Sequence, residues 1–348
     1  IWYMQHPKFG KHPVGNRLEQ IRNSPNYKNG EFKNLNYTPV MEGSMLNAFH
    51  DMLFNKSKDS KPGGMLPSSK VDLKSLNIDE NIVVWLGHSS FFIQLDGKRF
   101  LVDPVLSGHA SPFSFSVKSF KGSVVYTYDD IPDIDVLLIT HDHWDHLDYK
   151  TLKELKPKVK NVVTGLATGA HLEHWGYNPG IISELDWWNN KQIGNICVTA
   201  TPARHFSGRL FKRNQTLWVS FVIETSSKRI FLSGDSGYDT HFAQIGKRFG
   251  SFDLAIMECG QYNLHWQYIH QMPEQTVQAV VDLKAKHFIP CHWAKFDLSL
   301  HSWKEPINRV ISCALSKDVT IQVPQIGQCV TINDSCIPLN RWWDFIEE

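Results

Sequence analysis

Three features are missing from this chain of 348 residues, and each absence narrows what the protein can be. The net charge is only +1, because 36 Lys and Arg are balanced by 35 Asp and Glu, so no broad basic surface for nucleic acid is expected. No run of 18 apolar residues occurs, which argues against a membrane-spanning helix. The six cysteines include no CxxC pair, so thiolate ligands and a disulfide framework are not predicted, although Cys329 and Cys336 are close enough in sequence to pair.

The composition is that of a globular protein. Hydrophobic residues make up 42% and charged residues 20% of the chain, which is enough apolar surface for a sizeable core. The 12 Trp residues are numerous, and most are predicted to lie in the core or to be half-buried. The sequence begins at Ile1, from which we expect that an N-terminal signal or anchor has been removed, as in a protein of the bacterial cell envelope.

The chain divides at about residue 80. Residues 1–80 are rich in Asn, Lys, Pro, Gly and Ser, and we predict that they form an arm wrapped around a main domain of residues 81–348. Within the arm, Val40–Phe54 is expected to form one helix and residues 55–69 an exposed linker. After residue 80, short apolar strands alternate with helical segments, which predicts an α/β fold with layered sheets and helices.

The most informative stretch is VLLITHDHWDHLD, residues 136–148. Val136–Thr140 is an apolar, β-branched strand, and the residues that follow it are three histidines and two aspartates, His141, Asp142, His143, Asp145 and His146. A solvated polar turn is the simple alternative. Imidazole and carboxylate groups packed this densely at the end of a buried strand are more typical of a Zn²⁺ site.

Three further strands end in residues of the same kind, namely His205, Asp235 and His292. Seven nitrogen and oxygen ligands exceed the needs of one tetrahedral Zn²⁺ and suit two metal ions that share a carboxylate. The predicted assignment is His141, His143 and His205 for the first metal, Asp145, His146 and His292 for the second, and Asp235 as the bridge. Asp142 is left outside the ligand set, as an exposed or hydrogen-bonded residue. Imidazole favours Zn²⁺, with Fe or Mn as alternatives.

Two more residues are candidates to support the ligands. Asp103 ends the strand of Phe100-Leu-Val-Asp-Pro and could fix the second nitrogen of a ligating imidazole, and His88 could join it. A structural turn aspartate and a buried histidine are the alternatives for these two positions.

The pattern His141-x-His143-x-Asp145-His146, followed by His205, Asp235 and His292, resembles the metallo-β-lactamase fold superfamily. Longer motifs resemble its N-acylphosphatidylethanolamine-hydrolysing phospholipase D subgroup, from about Val84 to Phe296. These motifs are Val84-Trp-Leu-Gly-His-Ser-Ser, Phe100-Leu-Val-Asp-Pro, Glu184-Leu-Asp-Trp-Trp, Ile245-Gly-Lys-Arg-Phe-Gly-x-Phe-Asp-Leu-Ala and His292-Trp-x-x-Phe. The sequence departs from the subgroup at Trp144, where Tyr is usual, and at Ile269, where Gln is usual.

The resemblance implies an αββα sandwich with a dinuclear metal site between its two sheets. It implies hydrolysis of a membrane phospholipid by a metal-bridging hydroxide, which releases an N-acylethanolamine and phosphatidic acid. Asp235 is then catalytic as well as ligating, and Asp103 matches an aspartate that supports a ligand. His270 contacts the phosphate or steadies the leaving group, with a solvent-facing loop histidine as the alternative. A phospholipid substrate, a membrane surface and a homodimer are the expected partners.

Three other functions are compatible with part of this pattern. The same site could hydrolyse a lactone or a sugar phosphate, in a small polar pocket instead of an apolar trough. A di-iron electron-transfer or oxygen-reducing protein is expected to carry a carboxylate at the position of His143, so the imidazole there argues against it. A metal-free binding module would leave seven converging ligand residues without a purpose.

Overall fold

The structure is a computed structural model that describes residues 5–209, 212–333 and 338–347. Cys336 falls outside these ranges, so its pairing with Cys329 concerns a residue that is not described. Among the helices in the described ranges, none combines the length and the apolar character needed to cross a bilayer.

The first 80 residues contain short elements, which are α1 (Gly15–Arg22), β1 (Tyr27–Lys28), β2 (Glu31–Phe32) and α2 (Met45–Phe54). The helix expected over Val40–Phe54 therefore begins later, at Met45, where the Ser44 side chain accepts a hydrogen bond from the Leu46 amide at 3.2 Å. The expectation of an exposed linker over residues 55–69 is wrong. Much of this segment is half-buried, and Leu66 is fully buried. Ser57, Asp59 and Gly63 form hydrogen bonds to residues 300, 302, 303 and 347, which attach the segment to the C-terminal part of the chain.

The remaining strands and helices follow in chain order. The strands are β3 (Ile82–Trp85), β4 (Phe91–Leu95), β5 (Lys98–Val102), β6 (Val136–Ile139), β7 (Val162–Gly165), β8 (Ile182–Leu185), β9 (Asn190–Ile193), β10 (Ile196–Thr201), β11 (Ser220–Glu224), β12 (Arg229–Leu232), β13 (Leu254–Glu258), β14 (Phe288–Cys291) and β15 (Cys329–Thr331). The helices are α3 (Tyr149–Leu155), α4 (Gly169–His174), α5 (His241–Phe249), α6 (Pro273–Leu283) and α7 (Glu305–Ser316). Short 3₁₀ helices cover Pro7–Phe9, Lys156–Lys158, Pro179–Ile181, Leu264–Trp266 and Trp342–Phe345.

Thirteen of these strands form two sheets. One sheet has the order β15-β3-β4-β5-β6-β7-β8, and the other has the order β14-β13-β12-β11-β10-β9. The neighbours β5 to β8 are parallel, and so are β12 to β14. Because the carboxyl ends of parallel strands meet at one edge of a sheet, the residues that follow β5 and β6 lie at one edge of the first sheet, and those that follow β12 and β14 lie at one edge of the second.

Alternate residues of the first sheet face different parts of the core. On β3, Val83 and Trp85 belong to the large apolar cluster that also contains residues of the second sheet and of α5, α6 and α7. Ile82 and Val84 belong to a separate cluster with Leu152 of α3 and residues of α4. This period of two is expected for a sheet with both faces covered. The predicted α/β architecture of two sheets layered with helices is confirmed.

Candidate metal centre

The sharp turns after the strands aim the predicted ligands into one region. Asp103 and His292, which follow β5 and β14, have positive φ angles of 39° and 66°, and His88, just beyond β3, has one of 55°. Such backbone is uncommon for residues with side chains and recurs at functional sites. Gly234, with φ of 57°, precedes Asp235 and lies so close to Thr140 that an added Cβ would be 2.9 Å from the Thr140 Cβ. A side chain at position 234 would therefore push the Asp235 turn away from the end of β6.

The first group of converging side chains contains His141, His143, His205 and Asp235. Nδ1 of His143 lies 3.0 Å from Nε2 of His141 and 3.1 Å from Nε2 of His205. Oδ2 of Asp235 lies 3.8 Å from each of those Nε2 atoms. One ion could therefore contact an atom from each of the four side chains.

The second group contains His88, Asp145, His146 and His292. Oδ2 of Asp145 lies 3.0 Å from Nε2 of His88, 3.2 Å from Nε2 of His292 and 3.6 Å from Nε2 of His146. Asp235 also reaches this group, with its Oδ1 3.1 Å from His146 Nε2 and its Oδ2 3.3 Å from His292 Nε2. Asp235 thus lies between the two groups, in the place predicted for a bridging carboxylate.

The two groups coincide with the two predicted ligand sets, with one addition. The addition is His88, which was predicted to join Asp103 in supporting the ligands and whose Nε2 lies 3.0 Å from Asp145 Oδ2 in the second group. The convergence of the seven predicted residues is a feature of the structure, whereas their role as ligands stays a prediction.

The nitrogen and oxygen atoms of the two groups are of the kind that can bind a metal cation. Three buried atoms make no hydrogen bond, namely His143 Nε2, His146 Nε2 and Asp235 Oδ1, and the last two lie 3.1 Å apart. Each of these atoms therefore has a lone pair or a proton that is not used in a hydrogen bond. Burial lowers the pKa of His141, His143 and His205, which keeps these imidazoles in the neutral form that binds metals. Burial also acts to lower the pKa of His146, but the Asp235 and Asp145 carboxylates raise it well above its usual range. The two carboxylates therefore favour a positive charge at His146.

Several of the imidazoles are fixed through a second nitrogen. Asp103 lies 2.8 Å from His146 Nδ1, and it accepts hydrogen bonds from Thr140 N at 2.9 Å and Thr140 Oγ1 at 2.6 Å. His205 Nδ1 lies 2.8 Å from the backbone oxygen of Ile269. Partners of this kind orient ligating histidines in metalloproteins. The contacts of Asp103 are those predicted for a residue that supports a ligand.

His270 lies beside both groups and has a carboxylate partner of its own. Its Nδ1 is 2.8 Å from Oε2 of Glu258, and its ring stacks on His292 with the centroids 5.1 Å apart. Glu258 is fully buried, and its other oxygen accepts hydrogen bonds from Ser236 N at 3.0 Å and Gln271 N at 3.1 Å. Burial acts to lower the pKa of His270, but the Glu258 carboxylate raises it overall.

No functional role was predicted for Glu258 from the sequence. The available signal was its position as the acidic last residue of the apolar strand β13, which is the same signal that marked the other strand ends. Its partner His270 comes 12 residues later, so their contact could not be read from local spacing.

Asp142 belongs to neither group, as predicted, and it is buried and hydrogen-bonded. It accepts a hydrogen bond from Gly208 N at 2.7 Å, and its other oxygen lies 3.3 Å from His171 Nε2. The Arg209 guanidinium donates to the Asp142 backbone oxygen at 2.8 Å and lies 3.9 Å from the centre of the Trp144 ring. This network holds the loop of residues 141–146, which we call the ligand loop, in place. The partners of Asp142, which are Gly208, His171 and Arg209, were not predicted.

The arm contributes directly to the site. The Asn34 side chain donates to His205 O at 2.7 Å and accepts from His205 N at 3.1 Å. Lys11 N donates to His171 Nδ1 at 2.9 Å, and the oxygen of Lys8 accepts from the Arg209 guanidinium. Residues 8, 11 and 34 of the arm therefore form hydrogen bonds to residues in and around the loops that carry the candidate ligands.

Two layered sheets whose strand ends gather five histidines and two aspartates define a metal-dependent hydrolase with a divalent metal site. A family model described as the beta-lactamase superfamily domain matches residues 98–293, more than half of the chain. The chain belongs to this superfamily, as the sequence motifs predicted.

Relatives and a solved structure agree with this membership. An uncharacterized protein of Mycobacterium tuberculosis is 35% identical over 326 residues, which cover 92% of this chain and 87% of the relative. An N-acyl-phosphatidylethanolamine-hydrolyzing phospholipase D of Caenorhabditis elegans is 30% identical over 232 residues, covering 62% of this chain and 64% of that protein. The metallo hydrolase Igni18 of Ignicoccus hospitalis superposes with a TM-score of 0.56 at 17% identity, covering 72% of this chain and 97% of that one. This last likeness concerns the fold alone.

Proposed function

We propose that the protein is a zinc-dependent phosphodiesterase that hydrolyses N-acylphosphatidylethanolamine-type phospholipids. The observation that carries the proposal is the pair of His/Asp groups that meet at Asp235. The similarity to the nematode phospholipase D supports a phospholipid over other esters. The products would be an N-acylethanolamine and phosphatidic acid.

The two groups of side chains would each hold one Zn²⁺, and Asp235 would contact both ions. Imidazole predominates in both groups, which suits Zn²⁺ better than Mg²⁺ or Ca²⁺. When bound, two such ions activate water as a nucleophile and neutralise the negative charge that develops on a phosphate.

The chain's own residues would position and protonate the substrate. Hydrolysis adds the oxygen of water to phosphorus and breaks the bond from phosphorus to the ethanolamine oxygen, which must gain a proton. His270 is the candidate donor of that proton from Nε2, because Glu258 holds its Nδ1 at 2.8 Å. Asp103 acts as a positioning residue, since it touches His146 and Thr140.

A phospholipid substrate resides in a bilayer, so we further propose that the protein works while associated with a membrane surface. A location in the bacterial cell envelope and a homodimer stay predictions.

Incubation of purified, zinc-loaded protein with N-acylphosphatidylethanolamine, followed by mass spectrometry of the products, tests the substrate. We expect N-acylethanolamine and phosphatidic acid in equal amounts from the wild type and neither from Asp235→Asn. Asp253→Asn is a matched control, because Asp253 bonds to Arg229 and Lys286 on the surface, outside both groups. Turnover of a lactone or a sugar phosphate without any release of N-acylethanolamine would overturn the proposed substrate and leave the hydrolase assignment in place.

A further inference from the structure

A surface that combines apolar and positively charged side chains extends to Trp144, which lies between two of the candidate ligands in sequence. It consists of Phe113, Phe115, Met65, Lys61, Lys118 and Lys121, and we call it the Phe–Lys surface. Phe115 and Met65 are 74% and 70% exposed, and Phe113 is 43% exposed. Isolated apolar residues at a surface are ordinary, but a cluster of them is not.

The six residues are joined by direct neighbours and shared cavities. The rings of Phe113 and Phe115 lie 5.4 Å apart. Phe115 and the three lysines line one cavity of about 410 Å³. The Met65 side chain lies against Gly122, next to Lys121, since a Cβ added at Gly122 would be 2.9 Å from Met65 Cγ.

The surface continues to the ligand loop. Phe113 and Phe115 also line a second cavity of about 290 Å³, whose wall includes Trp144. Trp144 is the residue between His143 and Asp145, one from each candidate metal group. A molecule that covered the Phe–Lys surface would therefore contact, through Trp144, the loop that carries His143 and Asp145.

The charge of this surface is positive. Asp297 is the acidic residue among the described residues that line the larger cavity, and its carboxylate is already 2.6 Å from Lys56 Nζ and 3.6 Å from Lys61 Nζ. Lys118 and Lys121 are exposed and add two more positive charges. The local excess of lysine complements an acidic partner, although the whole chain is almost neutral.

We propose that the Phe–Lys surface docks the protein on an anionic lipid bilayer. Phe113 and Phe115 enter the boundary between headgroups and acyl chains, and the lysines contact acidic headgroups. Apolar side chains that enter a bilayer beside basic residues are the combination that holds peripheral proteins on anionic membranes. The inference rests on the proposed function, since docking here would bring the lipid substrate to Trp144 and the ligand loop.

The test is co-sedimentation of the full chain with vesicles of phosphatidylcholine alone or mixed with phosphatidylglycerol. We expect binding to the mixed vesicles that weakens with added salt. Lys118→Glu/Lys121→Glu should weaken this binding at least about tenfold, because each basic residue near such a surface contributes on the order of a fivefold factor. Phe115→Ser should weaken it by about tenfold through the loss of one inserted ring.

Matched control variants lie elsewhere on the molecule. Lys191→Glu/Lys247→Glu makes the same change of charge at exposed positions on β9 and α5, and Leu315→Ser removes an apolar side chain that is 67% exposed on α7. Both controls should bind as the wild type does. Circular dichroism melts of all variants show whether each one is folded.

Three results would overturn the docking surface. The first is the absence of wild-type binding to the mixed vesicles, and the second is an equal loss of binding in the controls. The third is a homodimer in sedimentation velocity that the same substitutions dissociate while vesicle binding is unaffected, which would assign the surface to a second copy of the chain. These vesicles contain no N-acylated substrate, so a failure here is distinct from a failure of the product assay.

Discussion

The ligand loop, residues 141–146, and the described part of the arm, residues 5–80, contribute to the same site in different ways. The loop supplies four of the seven predicted ligands from six consecutive positions at the end of one strand. The arm supplies no predicted ligand, but Lys8, Lys11 and Asn34 contact Arg209, His171 and His205, each more than 150 positions away. The loop provides candidate ligand atoms for both groups, whereas the arm provides hydrogen bonds to residues around them.

This difference predicts a hierarchy of effects. Substitution of a ligand should remove metal binding and activity together, whereas substitution of an arm residue should weaken both by smaller factors. If substitution of an arm residue reduced metal binding and activity as much as Asp235→Asn does, the proposed difference between the loop and the arm would be contradicted.

The largest effect is expected for Asp235→Asn. Loss of the carboxylate between the two groups should reduce phospholipid hydrolysis at least about a thousandfold and lower the metal content, because both groups lose a shared anionic ligand. Product formation and elemental analysis of the same sample provide the measurement. Full activity with an unchanged metal content would show that Asp235 is not a ligand.

A smaller loss is expected for Glu258→Gln. The amide keeps the shape of the side chain but removes the charge that faces His270 Nδ1, so kcat should fall by about 10–100-fold, as is typical for partners of functional histidines. The metal content should stay at the wild-type level, which separates this variant from Asp235→Asn. A loss of metal together with activity would instead place Glu258 among the ligands, as its 3.5 Å distance to His292 Nδ1 allows.

Asn34→Ala tests the arm. Its side chain makes two hydrogen bonds to the backbone of His205 and accepts a third from Trp218 Nε1, so the free energy of unfolding should fall by about 1–3 kcal/mol. Zinc affinity should weaken by about tenfold, because the Asn34 side chain no longer holds the backbone of His205 in place. Asn36→Ala is the control, because Asn36 bonds to Asp239 at an exposed position and should change neither quantity. Equal effects of the two substitutions would contradict the role of Asn34.

The smallest effect is expected for Arg17→Met. Arg17 pairs with Glu173 and Glu184 and attaches the arm to α4 and β8, away from the ligands. Partly exposed ion pairs of this kind contribute about 1 kcal/mol or less. Chemical denaturation should show that small loss, and metal titration should show no change. Weaker zinc binding in this variant would mean that the whole arm, rather than Asn34, holds the site.

The same contrast explains what could be predicted from the sequence. The strand predicted over Val136–Thr140 is present as Val136–Ile139, because the local apolar pattern decides it. The convergence of His205, Asp235 and His292 was predictable because each follows an apolar strand. The helix Glu305–Ser316 and the edge strand Cys329–Thr331 were missed.

The contacts of Asn34, Glu258 and Arg209 were missed for a different reason. Each depends on a partner that only the arrangement of the sheets brings near, and an isolated Asn, Glu or Arg carries no signal of that partner in its neighbours. The half-buried state of much of residues 55–69 has the same origin, since several of their polar groups bond to residues 300, 302 and 303, which are distant in sequence.

The measurement that tests the central claim most directly is the number of zinc ions bound per folded chain, determined by elemental analysis after reconstitution and desalting. The two groups that share Asp235 predict about two ions per chain for the wild type. They predict a lower number for His292→Gln, which removes a ligand from the second group. One ion or none in the folded wild type, or a content unchanged by His292→Gln, would contradict the account of two metal ions joined by Asp235.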